Sequence, residues 1–126
     1  MHIEHVAFWT LNLERLRSFY QTYFHAECNE KYVNEEEGFE SYFLTFEKDP
    51  RLEIMNKPGV HAELFELVVG HSHLAFSVGS EKAVDELTVR LEKDGFPVLR
   101  RPRRTGDGYY ESVVADPDGN HVEITV

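Results

Sequence analysis

At 126 residues the chain has material for one compact domain, or for two half-size units sharing a core. Hydrophobic residues make up 41% and charged residues 29%, a soluble globular balance that excludes a disordered chain. A formal charge of −10 argues against nucleic acid or anionic membrane as partner, and no apolar run approaches the roughly 20 residues of a membrane span. The N-terminus enters a strand-like pattern without an apolar signal-peptide core, so a cytoplasmic protein is expected. Cys28 is the only cysteine; it excludes an intrachain disulfide and a CxxC site, and reads as a small packing residue.

His2 to Thr10 alternates as a strand, with Ile3, His5, Ala7 and Trp9 on one face and Glu4, Val6 and Phe8 on the other. Asn12 is placed to cap a helix with Glu14 in its first turn. Leu13, Leu16, Phe19, Tyr20, Tyr23 and Phe24 then recur at helical spacing. Cys28 to Val33 reads as a short strand, 34–38 as a charged turn, and Ser41 to Phe46 and Arg51 to Met55 as two more strands joined through Asp49-Pro50. Residues 57–70 form a linker, with a short helix expected within 62–69. His71 to Val78 is the next strand. Ser80 caps a helix with a stripe of Ala83, Val84, Leu87 and Leu91, and Gly95 suits its left-handed end. Phe96 to Arg100, Tyr109 to Ala115 and Asn120 to Val126 complete the strands, the last two joined by the turn Asp116-Pro-Asp-Gly119.

One unit is therefore written twice, about 1–56 and about 71–126. His5-Val-Ala-Phe8 returns as His73-Leu-Ala-Phe76, and Leu52-Glu-Ile54 returns as Val122-Glu-Ile124. Gly38-Phe-Glu-Ser41 also resembles Gly108-Tyr-Tyr-Glu-Ser112, with a one-residue slip. A duplicated fold needs repeated apolar residues but not a repeated His and Glu. Alternation puts Val6, Phe8, Leu52 and Ile54, with Leu74, Phe76, Val122 and Ile124, on the faces under the helices. His5, Glu53, His73 and Glu123 then fall on the reverse faces, with Ala7 and Ala75 leaving room beside the imidazoles. Two imidazoles and two carboxylates are a mixed nitrogen and oxygen set suited to a divalent first-row ion: Ni, Zn, Co, Mn or Fe. Four such ligands around an octahedral ion leave two positions for water or substrate.

These motifs, with Leu16-Arg-Ser-Phe-Tyr20 and Asp116-Pro-Asp-Gly-Asn-His-Val-Glu-Ile124, resemble the vicinal oxygen chelate superfamily, which includes glyoxalase I, fosfomycin-resistance thiol transferases, extradiol dioxygenases and bleomycin-binding proteins. The resemblance covers nearly the whole chain as a single domain. It implies an α+β fold of two paired βαβββ modules forming a curved mixed sheet around a metal cavity. It also implies His5, Glu53, His73 and Glu123 as ligands. The His/Glu/His/Glu set looks like metal-dependent glyoxalase I, a lyase or isomerase acting on an oxygen-chelating small molecule such as a thiol adduct of a 2-oxoaldehyde. There a carboxylate moves a proton between adjacent carbons, with Glu123 the first candidate and Glu53 the second. Thiol transfer to an epoxide, extradiol-type oxygenation, and non-catalytic small-molecule binding or resistance are the alternatives. His25 stands where relatives often have Gly after the first helix, and no glutathione-binding set is evident.

The remaining polar features carry less. Arg100, Arg101, Arg103 and Arg104 surround Pro102 and read first as a solvated edge strand and turn, second as a clamp for a substrate carboxylate or phosphate. Thr105-Gly-Asp-Gly108 is too short for a phosphate loop. Trp9, Tyr109 and Tyr110 are candidates for cavity wall or core; His71, on the strand face of His73, reads first as a surface residue and second as a neighbour of the site. His2, His25, His61 and His121 carry no distinct signal. Open sheet edges favour a partner, and a homodimer is expected.

Overall fold

A computed structural model describes residues 1–48, 50–62 and 69–126. The chain is α+β and divides into two compact units, Met1–Leu67 and Val68–Val126, each with its own mixed sheet and one long helix. The turn through Asp49 and the expected helix within 62–69 fall largely outside the described residues.

The first unit runs β1 (His5–Trp9), α1 (Leu13–Phe24), β2 (Glu27–Cys28), β3 (Tyr32–Asn34), β4 (Phe39–Thr45) and β5 (Arg51–Asn56). β1 lies parallel to β5, β5 antiparallel to β4, and β2 and β3 both pair antiparallel with β4. The second unit runs β6 (His73–Ser77), α2 (Glu81–Lys93), β7 (Val98–Arg104), β8 (Tyr110–Ala115) and β9 (His121–Thr125), in sheet order β6-β9-β8-β7. Again the first strand is parallel to the last.

Both helices start where the capping residues demand. Asn12 accepts from the Arg15 N–H at 3.0 Å and Ser80 from the Ala83 N–H at 3.1 Å. All six apolar residues of the α1 stripe are buried, in a unit core that also holds Tyr42, Leu44, Leu52 and Ile54. In α2 the buried positions are Val84, Thr88 and Leu91, so Thr88 enters the stripe in place of the half-buried Ala83 and Leu87. The reason is a partner. The Thr88 hydroxyl is 2.6 Å from the fully buried Ser112 hydroxyl and donates to the Val84 carbonyl at 2.6 Å.

Three sequence expectations need correction. The strand placed at Cys28–Val33 is two strands, broken at Asn29, whose side-chain oxygen accepts from the Phe43 N–H at 2.8 Å. The second strand of the second unit is not Phe96–Arg100 but Val98–Arg104. It carries all four arginines along the sheet edge, with irregular register around Arg100 and Pro102, where a proline is tolerated. Finally, Ser41 does not correspond to Ser112. Ser41 faces Met55 and Glu111 faces Thr125, so Glu111 is the counterpart of Ser41, and Ser112 that of Tyr42.

Candidate functional site

Strand register puts the repeated His and Glu in equivalent places. Ala7 stands beside Glu53 in the β1–β5 pair, and Ala75 beside Glu123 in the β6–β9 pair. Leu52 and Ile54, and Val122 and Ile124, are buried on either side of these carboxylates, as alternation requires. The small alanine side chains let each imidazole lean across toward its carboxylate. Nε2 of His5 lies 3.8 Å from Oε2 of Glu53, and Nε2 of His73 lies 3.4 Å from Oε2 of Glu123. Exposure matches as well: 40% and 43% for the two imidazole side chains, 16% and 17% for the two carboxylates.

These separations can be tested against an ion. Two ligand atoms each about 2.1 Å from one metal are about 3.0 Å apart at a right angle and about 3.4 Å at a tetrahedral angle. The His73–Glu123 gap has the second value, and the His5–Glu53 gap has to close by about 0.4 to 0.8 Å. The donor chemistry fits a borderline divalent ion. Each unit by itself offers two donors; within neither unit does a third His, Cys, Asp or Glu among the described residues complete a metal-holding cluster.

The surroundings of the two pairs differ. In the first unit, Oε2 of Glu4 lies 2.5 Å from Nδ1 of His5, and the Arg51 guanidinium donates to the other oxygen of Glu4. The His5 bond first, and Arg51 second, hold the Glu4 carboxyl below the usual carboxylate range. Phe43, opposite Glu53 in the β4–β5 ladder, packs edge-on against His5 with ring centroids 5.5 Å apart, and Arg51 stacks on Phe43 at 4.2 Å. Alternation had assigned Glu4 to the Val6 and Phe8 face. The strand begins only at His5, so Glu4 is released from that face and turns to the imidazole. An acidic residue next to a histidine is no signal by itself, and sequence reading missed its role.

In the second unit, Nδ1 of His73 meets the Ser72 hydroxyl at 3.2 Å rather than a carboxylate. Here the carboxylate is the crowded group. Burial, and then the charge of Glu111 on β8, push the Glu123 carboxyl up from its ordinary value, against the pull of His73 and Arg100. His121, paired with His73 in the parallel register, shares the strand face of Glu123.

The arginine cluster splits by strand face. Arg101 forms an ion pair with Glu92 and Arg104 one with Glu81, both on α2, so those two brace the helix to the edge strand. Arg100 and Arg103 pair with Val113 and Glu111 in the ladder, on the face that carries Glu123. Tyr110 turns to α2, its hydroxyl donating to Asp85 at 2.8 Å, while Tyr109 is exposed. Trp9 is also exposed, edge-on to Phe39 at 6.4 Å with the Lys57 ammonium 5.1 Å above its ring. It is surface wall rather than core. Nδ1 of His61 contacts the Gly59 carbonyl, and His71 lies just before β6. Cys28 is a half-buried free thiol whose pKa is raised by burial.

The duplicated strand–helix–hairpin unit has known relatives. Residues 2–124 fit the model of the Glyoxalase/Bleomycin resistance protein/Dioxygenase superfamily. The chain belongs to that superfamily. An uncharacterized Bacillus subtilis protein, YqjT, is 28% identical over 97% of this chain and 96% of its own length. Among solved structures, a glyoxylase/bleomycin resistance protein/dioxygenase domain from Frankia superposes with a TM-score of 0.83 at 19% identity, over 100% of this chain and 97% of that one. Glyoxalase I from Zea mays superposes with a TM-score of 0.80 at 21% identity, over 98% of this chain but 43% of the maize chain. The trypanothione-dependent glyoxalase I of Leishmania major gives 0.77 at 22% identity, over 99% and 86%. At these identities the structural likeness establishes the fold.

Proposed function

We propose that the protein is a metal-dependent lyase or isomerase of glyoxalase I type, with His5, Glu53, His73 and Glu123 holding one divalent ion. The observation that carries this reading is the doubled pair: imidazole and carboxylate facing each other at 3.8 Å in one unit and 3.4 Å in the other, at equivalent register positions. Surface residues under no functional constraint have no reason to keep both members of both pairs. Retention of Glu53 favours glyoxalase-type chemistry over the two-His, one-Glu branches of the superfamily.

When bound, the ion supplies Lewis acidity to the neighbouring oxygens of the substrate. The chain's own residues do the rest. His5 and His73 orient and fix the donor set. Glu123 accepts the proton from the carbon beside the carbonyl and returns it to the adjacent carbon, and Glu53 is the second candidate for that exchange. Burial raises the Glu123 carboxyl above its ordinary value in the metal-free protein, a shift in the direction that strengthens a base. We take the substrate to be a thiol adduct of a 2-oxoaldehyde, the assembly a C2 homodimer, and the setting a reducing cytoplasm in which Cys28 stays free.

The test has two stages. Protein purified without an affinity tag or chelator is first analysed for Ni, Zn, Co, Mn and Fe. The metal-loaded protein is then assayed on methylglyoxal with glutathione and with other thiols. Stoichiometric metal and turnover are expected, with turnover abolished in Glu123→Gln while metal is retained. Metal-free protein that takes up no ion would remove the reading, and full turnover in Glu123→Gln would remove its base.

A further inference from the structure

The two imidazoles are equivalent in register but not in how they are held. Glu4, ionised, can only accept hydrogen bonds, so at 2.5 Å from Nδ1 of His5 it requires the proton of a neutral imidazole to sit on Nδ1. Nε2 then presents a lone pair toward the Glu53 carboxylate, and two acceptors facing each other call for a proton or a metal cation between them. Arg51 keeps Glu4 in place, and its backbone N–H donates to the Glu4 carbonyl at 3.0 Å. The edge of Phe43 limits rotation of the ring. Ser72, the counterpart of Glu4, does nothing comparable for His73. A hydroxyl both donates and accepts, so its contact with Nδ1 is compatible with either tautomer.

We propose that Glu4, held by Arg51, is a positioning residue that fixes the Nδ1–H tautomer of His5 and turns its Nε2 lone pair toward Glu53, making the first His/Glu pair the preorganised half of the site. Preorganisation of a metal site rests on the function proposed for the pair; the tautomer of His5 does not. Carboxylates in this relation to a ligating histidine fix its ring orientation and raise its basicity, and their loss typically weakens metal binding about 10- to 100-fold.

The experiment compares wild type with Glu4→Met, Glu4→Gln and Ser72→Ala. Glu4 is exposed, and circular dichroism confirms that each variant folds. Long-range proton–nitrogen spectra of metal-free protein are titrated to the pH at which His5 is neutral, and Co²⁺ affinity is measured by calorimetry. The wild type should show a protonated Nδ1 and a bare Nε2 on His5. Glu4→Met should give mixed tautomers and a Co²⁺ dissociation constant about 10- to 100-fold higher. Glu4→Gln, whose amide like the Ser72 hydroxyl offers a donor as well as an acceptor, should also leave the tautomers mixed, and Ser72→Ala should cost less than Glu4→Met. An unchanged tautomer in Glu4→Met or in Glu4→Gln, or an unchanged Co²⁺ affinity in Glu4→Met, would overturn the proposal. Wild-type protein that takes up no Co²⁺ would overturn the metal reading, while the metal-free spectra would still decide the role of Glu4.

Discussion

Replacing His25 by glycine should stabilise the protein. α1 ends in a left-handed turn at His25, φ 55° and ψ 31°, the only non-glycine residue with positive φ among the described residues. The turn is required, because the N–H groups of His25 and Ala26 both close onto the Tyr20 carbonyl and satisfy the helix end. A side chain in this conformation costs about 1 to 2 kcal/mol from the approach of Cβ to the following carbonyl oxygen. Glycine removes that cost but adds freedom to the unfolded chain, giving back about 0.5 to 1 kcal/mol. The His25 ring is exposed, so little packing is lost. The net gain is about 0.5 to 1 kcal/mol, or a rise in Tm of about 2 to 6 °C for a chain of this size. Thermal denaturation by circular dichroism, checked by urea midpoints, measures it. An unchanged or lowered Tm would show that the ring makes a stabilising contact equal to the strain, and would refute the reasoning.

Thr88→Val should cost about 1 to 3 kcal/mol, because it strands the fully buried Ser112 hydroxyl. The double variant Thr88→Val/Ser112→Ala should cost less than the sum of the single changes; additivity within about 0.5 kcal/mol in urea denaturation would show that the two hydroxyls do not depend on each other. Glu123→Gln should alter the pH dependence of stability in metal-free protein. The folded pKa of Glu123 is raised, so the wild type binds this proton more tightly folded than unfolded. That contribution is present below the ordinary carboxylate value and is lost as pH rises through the raised folded value. The variant lacks this loss, so its Tm advantage over wild type should grow across that window, and a constant difference would contradict burial as the cause.

The fold was legible wherever periodicity and punctuation agreed. Asn12 and Ser80 mark both helix starts, the α1 stripe is buried residue for residue, and alternation at Leu52-Glu-Ile54 and Val122-Glu-Ile124 fixed which side chains face away from the helices. The candidate ligands could be named because they recur. What recurs only once could not be seen. Glu4 gains its place from the end of a strand, a boundary that alternation does not mark, and from Arg51, which β pairing brings alongside from far down the chain. Glu111 was hidden by a similarity of letters. The repeated Gly-aromatic-Ser motif aligned Ser41 with Ser112, whereas the ladder shifts that match by one, and in a strand one residue exchanges the buried face for the exposed one. The arginines were placed partly in a turn because Pro102 reads as a breaker, yet an edge strand tolerates it.

Duplication kept the four donors and changed nearly everything touching them. Following the ladders, Glu4 corresponds to Ser72, Arg51 to His121, Phe43 to Val113, Met55 to Thr125 and Ser41 to Glu111. The first unit has thus surrounded its imidazole with an ion network and an aromatic ring, which restrict motion. The second gives Nδ1 of its imidazole a hydroxyl in place of a carboxylate, and places a second carboxylate near the first. A site built from two identical halves would have no reason to prefer one glutamate over the other as base. For the proposed reaction the two units differ: Glu53 belongs to the one whose imidazole is held, and Glu123 to the one whose carboxylate is pushed up by burial. The proposed base and the proposed positioning residue therefore fall in different units. Each should respond to its own substitution, Glu123→Gln in turnover with metal retained, Glu4→Met in the His5 tautomer with Glu123 untouched. A Glu4→Met variant that abolished proton exchange while leaving tautomer and metal affinity intact would mean that this division of labour is wrong.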